Sequence, residues 1–279
     1  MRFERTRTSR ILLAVALNLL ACTHRGSAGA ETLTVPHPDD PSKEVEAFFE
    51  KPTSSGPWPT VIFLHGYQSW PSAGGKDFVN WGVLDKFAKR GYLAVAVSEP
   101  GYGRSSGPAD FCGPFTQDAV LGVIAKLKRD GYVSSNNIVI EGISRGALVA
   151  GLIAAHHESL SGVVLISGLY DLPQFAANPK SAQAKQIVSA IVDETGGADD
   201  ALRVRSVLNS AQNIKVPSLI LNGAKDDRTD PAQARRLAEV IASHGGKARM
   251  IIYPNYGHHI PVEVRDKEID PFIDGLLGK

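Results

Sequence analysis

Three short segments carry residue types that could work together on an acyl group. Gly142-Ile143-Ser144-Arg145-Gly146 follows the apolar run Asn137–Glu141 and leads into Ala147-Leu148-Val149-Ala150. This G-x-S-x-G pattern, set between a strand and a helix, is a turn sharp enough to present a serine hydroxyl at its tip. Glycine is needed two residues to either side because a Cβ there would strike the neighbouring strand or helix. The helix N-terminus behind the serine favours developing negative charge. Gly223-Ala224-Lys225-Asp226-Asp227 then offers an acid, and Gly257-His258-His259 a base. Such motifs also occur as Gly-rich turns without chemistry. Here the acid and the histidine follow the serine in the order Ser, acid, His, each just past an apolar run, as nucleophilic catalysis requires. The expectation is that Ser144 attacks, His258 takes and returns the proton, and Asp226 orients the imidazole. Asp226 is favoured over Asp227, and His258 over His259. The oxyanion hole would use the N–H of Arg145 and that of Tyr67, which follows His65-Gly66.

Those residues need a scaffold, and the chain supplies one. Residues 60–65, 92–98, 137–141, 162–167, 218–222 and 248–253 are Val/Ile/Leu-rich with little polar alternation, as strands buried on both faces are. Helical patterns fall between them at 77–90, 116–130, 145–157, 232–244 and 270–277. Asp77, Thr116 and Asp230 read as N-caps, and Asp270-Pro271 as a cap followed by Pro at the first helical position. This alternation predicts a doubly wound, mostly parallel α/β sheet, with antiparallel strands at 32–36 and 44–50 on one edge. The segment between 167 and 218 is too long for one crossover. It predicts a small helical cap over about 173–212, above the carboxyl ends of the strands where such sheets place their sites. Tyr67, Trp70, Tyr170 and Phe175 are then pocket candidates.

Several alternatives weigh less. His65, at a strand end before glycine, reads as a brace for its loop. Glu99-Pro100-Gly101-Tyr102-Gly103-Arg104-Ser105 lacks the Lys and following helix of a phosphate loop and reads as a tight turn. His258-His259 and His156-His157 are adjacent pairs that point apart, and no acidic or Cys ligand set accompanies them, so neither a metal nor any other cofactor is expected.

Thirty Lys+Arg against 29 Asp+Glu in 279 residues argue against a broadly basic nucleic-acid binder. The positive excess sits at the N-terminus. Arg2, Arg5, Arg7 and Arg10 precede the apolar run Ile11–Ala21, which is short for a membrane span but fits a signal peptide. Removing the five Arg and one Glu of residues 1–30 leaves 25 basic and 28 acidic residues. Cleavage after the A-x-A site Ala28-Gly29-Ala30 is favoured. The alternative is a lipobox, Leu19-Leu20-Ala21-Cys22, with acylated Cys22 as the membrane anchor. Both predict export, to the periplasm or the medium. Cys112 then remains alone, and reads as a buried thiol.

With these motifs placed, the chain resembles the α/β-hydrolase superfamily over residues 44–279. Within it, the sequence is similar to the catalytic domain of the prolyl-oligopeptidase family of serine peptidases. Glu194-Thr195-Gly196-Gly197, Arg205-Ser206 and Gly223-Ala224-Lys225-Asp226-Asp227-Arg228 look like that family's approach to its acid, and Tyr253-Pro254 with Gly257-His258 like its histidine loop. The resemblance implies an acyl-enzyme mechanism and makes the first Asp of Asp-Asp-Arg the acid. The pattern departs in two respects: no β-propeller segment is read ahead of the catalytic strands, and Arg145 follows the nucleophile where Tyr or Asn is common. The expected function is therefore an exported serine hydrolase acting on a short peptide or a small ester, peptidase-like first and carboxylesterase second. A non-catalytic binding protein of the same fold is the reading from another class, and the presence of Ser, acid and His together weighs against it.

Overall fold

The computed structural model describes residues 29–68, 72–157 and 159–278. The predicted signal sequence, apart from its last two residues, and the pocket candidate Trp70 lie outside them. Among the described residues, eight strands form one sheet: β1 (Glu31–Pro36), β2 (Glu44–Glu50), β3 (Trp58–Leu64), β4 (Leu93–Val97), β5 (Val133–Ile143), β6 (Gly162–Ile166), β7 (Ser218–Gly223) and β8 (Ala248–Tyr253). Their order is β1-β2-β4-β3-β5-β6-β7-β8. β1 and β2 pair antiparallel at one edge, and from β4 onward all neighbours are parallel. This is the α/β-hydrolase arrangement. β4 and β6 are buried at every residue, because helices cover both faces of the sheet.

Helices α1 (Lys76–Asn80), α2 (Val83–Lys89) and α9 (Val262–Leu277) cover one face. Helices α3 (Pro114–Arg129), α4 (Arg145–His156) and α8 (Pro231–Ser243) cover the other. Between β6 and β7 the chain forms α5 (Leu172–Ala177), α6 (Ala182–Thr195), α7 (Asp199–Arg203) and two short 3-10 turns ending at Asn213. Every residue of α4 from Arg145 to Ala155 is buried, since sheet and cap enclose it. Such a helix must be apolar all round, which Ala147–Ala155 is. Gly151 permits that contact: a Cβ there would stand 2.9 Å from Val207 Cγ2.

Four local expectations are corrected. Residues 77–90 form two helices, because Gly82 takes a left-handed conformation at φ +72°; the N-cap of α1 is Gly75, with Asp77 in its first turn. α3 begins with Pro114 behind Gly113, and Thr116 is not its cap. The Asp110 carboxylate serves that end, accepting from Phe115 N at 3.0 Å and Thr116 Oγ1 at 2.5 Å. α9 begins at Val262, eight residues before the predicted cap Asp270, and carries Pro271 inside it. Its buried stripe Ile269, Ile273 and Leu277 runs on past the proline. Asp270 instead takes Arg90 Nη1 at 2.6 Å and Lys86 Nζ at 2.9 Å across to α2. Asp230 does cap α8, accepting from Ala232 N at 3.0 Å.

Candidate active site

Ser144 occupies the turn between β5 and α4 with φ 55° and ψ −111°. A positive φ is unfavourable for a residue with a Cβ, and such strain persists only where the surroundings fix it. The surroundings here are backbone. A Cβ on Gly142 would stand 2.1 Å from Gly146 O, and one on Gly146 would stand 2.2 Å from Leu64 O. The two glycines let α4 start directly against β5 and β3. Arg145 is the first helical residue, so its N–H belongs to the first turn of donors that have no intrahelical acceptor.

The acid and histidine loops interlock one strand and two strands beyond β6. Ala224 N donates to Tyr253 O at 2.9 Å, and Lys225 N to Tyr256 O at 3.0 Å. A Cβ on Gly223 would lie 2.1 Å from Gly257 O, so glycine is required where the loops cross. Asp226 is thereby fixed against the imidazole, its Oδ2 3.0 Å and Oδ1 3.2 Å from His258 Nδ1. Asp226 also accepts from Arg228 N and Thr229 N at 2.9 Å each, and from Thr229 Oγ1 at 2.6 Å. Burial disfavours its charge, but the bonds from His258 and Thr229 outweigh that and hold the carboxyl below the ordinary aspartate range. Ser167, itself at φ 49°, donates from Oγ to His258 O at 3.0 Å and pins the histidine backbone. Among the described residues no hydrogen bond or ion pair joins Asp227 to the imidazole, and His259 stands beside Arg228, 3.4 Å from its Nη1. Burial first, then the charges of His258 and Arg228, lowers the His259 pKa.

Ser144 and His258 line one cavity of about 750 Å³. Among the described residues the hydrogen bonds of the His258 imidazole run to Asp226 and Thr229, with none closed to Ser144 Oγ, a contact that commonly tightens only around substrate. Gly66 and Tyr67 lie at the same cavity, and a Cβ on Gly66 would reach 3.4 Å from Ser144 Cβ. His65 is buried and braces its loop: Glu99 N donates to Nε2 at 3.1 Å while Nδ1 lies 2.8 Å from Gly66 O. Burial is the main cause that lowers its pKa, which keeps the ring neutral. The cavity wall comes from Phe78 and Trp81 of α1 and its C-terminal turn, Ile187 of α6, and Ile260, Val262 and Arg265 around the start of α9.

Two of the pocket candidates do not belong to it. Tyr170 is fully buried in the core beneath the cap, and Phe175 is buried on α5, bordering a separate crevice of about 20 Å³. Both pack with Leu169 and Leu172 in the cluster under α5. Trp81, Ile187 and Val262 stand where aromatic loop residues were expected.

The side chain of Arg145 is held in a buried ion cluster. The guanidinium is 1% exposed, and Nε donates to Glu99 Oε2 at 2.7 Å while Nη1 reaches Glu194 Oε2 at 3.0 Å. Tyr102 and Phe111 place their ring faces 5.0 and 4.8 Å from it. Glu194 also accepts from Phe111 N at 2.8 Å. One buried cation therefore joins the nucleophile turn, the loop after β4 and the cap helix α6. Cys112 lies buried beside it with its Sγ 3.7 Å from Arg145 O, and burial pushes the thiol pKa well up.

The sequence model described as the prolyl oligopeptidase family matches residues 113–273, more than half of the chain. The chain belongs to the prolyl oligopeptidase family. The match takes in the nucleophile turn, the cap, the acid loop and the histidine loop. A model of the X-Pro dipeptidyl-peptidase family also matches, over residues 45–178. Dipeptidyl aminopeptidase BIII of Pseudoxanthomonas mexicana is 24% identical over 259 residues, covering 88% of this chain and 36% of its own length. Among solved structures, a puromycin-hydrolyzing peptidase of Mycobacterium tuberculosis superposes with a TM-score of 0.77 at 19% identity, over 89% of this chain and 39% of that one. The Pyrococcus furiosus esterase Pf2001 superposes with a TM-score of 0.68 at 19% identity, over 89% of this chain and 91% of that one. These structural likenesses establish the shared α/β-hydrolase fold. The chain spans about a third of the length of the curated relatives it matches.

Proposed function

We propose that this protein is an exported serine hydrolase that cleaves a short peptide or small ester through Ser144, His258 and Asp226. The observation that carries the reading is the strained serine turn opening into the same cavity as a histidine held at 3.0 Å by a buried carboxylate. Ser144 Oγ adds to the substrate carbonyl as its proton passes to His258 Nε2. The oxyanion is met by the N–H groups of Arg145 and Tyr67. Collapse expels the alcohol or amine, which takes its proton from His258, and water repeats the sequence on the acyl-enzyme. The Asp226 charge holds the imidazole tautomer and stabilises the imidazolium. Residues 1–30 direct export, ending in cleavage after Ala30 or, alternatively, lipidation of Cys22.

Peptidase-like action is the first reading, supported by the family. A carboxylesterase is the second, and one feature favours it: among the described residues Asp77 is the single carboxylate in the cavity lining, and it is held by Gln68 Nε2 at 2.8 Å. A free peptide amino terminus would thus find little negative charge, so blocked or neutral amino ends suit the cavity better than an ammonium. The test is hydrolysis of a Pro-containing peptide amide and a short-chain p-nitrophenyl ester, with Ser144→Ala as control for both. Amide turnover lost in Ser144→Ala supports the peptidase reading, and ester turnover alone the esterase. A folded wild type that neither hydrolyses these substrates nor reacts with a fluorophosphonate serine probe would sink the proposal.

A further inference from the structure

One cation in the cavity has no settled partner. Arg265, one turn into α9, lines the cavity that holds Ser144 and His258. Its side chain is 14% exposed, yet its Nε is buried without a hydrogen-bond partner among the described residues. The nearby carboxylates are committed elsewhere. Asp266 Oδ1 stands 4.0 Å from Arg265 Nε, while Asp266 Oδ2 takes Lys86 Nζ at 2.7 Å. Asp270 is shared between Lys86 and Arg90. Glu141, buried on β5 behind this wall, feels the Arg265 charge, but burial pushes its carboxyl up to about 7, so it is not a firmly ionised counter-ion. Arginine does not give up its proton, and a buried guanidinium N–H without an acceptor is costly. A planar guanidinium presented to a cavity matches a carboxylate.

We infer that Arg265 is a specificity-determining residue that binds an anionic group, a carboxylate, on the substrate cleaved at Ser144. The inference rests on the acyl-hydrolase reading of Ser144 and narrows it to substrates carrying a negative charge within the cavity's span. The carboxylate sits either on the acyl portion, as in the half-ester of a dicarboxylic acid, or on the leaving portion, as in a peptide with a free C-terminus.

The test compares kcat/KM for charged and neutral members of two matched pairs. p-Nitrophenyl hemiglutarate against p-nitrophenyl valerate probes the acyl side. An N-blocked dipeptide with a free C-terminus against its amide probes the leaving side. Wild type should prefer the charged member of one pair at least tenfold, which identifies the side. Arg265→Gln should reduce that ratio to within about threefold of one, with the change mainly in KM, and Arg265→Lys should retain an intermediate preference. Both members of a pair are measured on the same preparation, so the folded fraction cancels in the ratio. A wild type without preference in either pair, or a preference that Arg265→Gln leaves intact, overturns the inference. Failure of the catalytic reading is read separately by binding of monophenyl glutarate and phenyl valerate to Ser144→Ala, followed by the fluorescence of Trp81 in the cavity wall. Tighter binding of the glutarate that disappears on adding Arg265→Gln supports the anion site even without turnover. Equal binding of the two ligands overturns it.

Discussion

Replacing Glu194 by Gln tests whether the buried Arg145 cation holds the cap to the nucleophile turn. The substitution keeps the shape of the side chain and leaves an acceptor for Phe111 N, now 2.8 Å from Glu194 Oε2. It removes one of the two charges that face Arg145, at 3.0 Å, while Glu99 stays at 2.7 Å from Nε. Breaking a buried ion pair by removing one partner costs about 3–5 kcal/mol. Glu99 remains and the Glu194 side chain is 15% exposed, so the expected loss is smaller, about 2–3 kcal/mol. In a chain of this size that lowers Tm by roughly 4–12 °C. Urea denaturation of wild type, Glu194→Gln, Arg145→Met and the double variant forms a thermodynamic cycle. In the Arg145→Met background no cation is left to miss its partner, so the cost of Glu194→Gln should shrink by at least about 1.5 kcal/mol. Additive effects within about 0.5 kcal/mol would refute the coupling and reduce the contact to an incidental one.

Gly146→Ala places a Cβ 2.2 Å from the Leu64 carbonyl oxygen, and backbone cannot give way as a side-chain tip can. Labelling of Ser144 by a fluorophosphonate should fall by about a hundredfold or more, equivalent to roughly 2.7 kcal/mol, and labelling within tenfold of wild type would show that the turn can relax. Glu141 is the opposite of a stabilising acid. Its folded pKa, near 7, lies above the unfolded value, so the folded state binds the extra proton and loses stability as pH rises from about 4.5 through 7. Glu141→Gln should therefore gain stability over wild type at pH 8 by up to about 3 kcal/mol relative to the difference at pH 4, and parallel stability–pH curves would contradict it. Asp226 has the reverse sign, its folded pKa being depressed. The stability it contributes is present above about pH 4 and lost as pH falls through the folded value, so Asp226→Asn should flatten the acid limb of the stability curve. Turnover in the same variant should fall by about a thousandfold or more, since the imidazole loses its orienting charge.

The strands were legible because each is a local run whose composition answers one question, whether both faces are covered. The serine turn was legible for a related reason: its glycines are dictated by backbone within a few residues and by the strand beside it. Arg145 shows where that stops. Its sequence position marks a helix start and an N–H donor, but its side chain is decided by Glu99 and Glu194, 46 and 49 residues away. Tyr170 and Phe175 fail as pocket residues for the same reason, since which way an aromatic faces depends on how α5 packs and not on its type. Asp270-Pro271 is a different failure. A cap signal and an acid in a helix interior look alike until Lys86 and Arg90 are seen to neutralise the acid. Reading a cap there hid residues 262–269 and with them Arg265. The continued stripe of Ile269, Ile273 and Leu277, traced backward to Val262, was the available signal.

The site is assembled from two kinds of structure, and they should respond differently to substitution. Ser144, Asp226 and His258 stand just beyond the ends of β5, β7 and β8, locked by backbone contacts too short to admit even a Cβ. Changes there alter the reacting geometry, and hence the rate for every substrate. The cavity wall comes instead from α1, α6 and α9, whose side chains Trp81, Ile187 and Arg265 reach the cavity without touching the hydrogen-bonded core of the site. Such residues act through the difference in binding between one substrate and another, so their variants should move ratios of kcat/KM more than kcat itself. Arg145 spans the two kinds. Its N–H is the proposed oxyanion donor and its side chain grips α6, so loosening Glu194 should change both the common rate and the substrate ratio. A variant of Ile187, on the same helix but outside the ion cluster, should change the ratio alone.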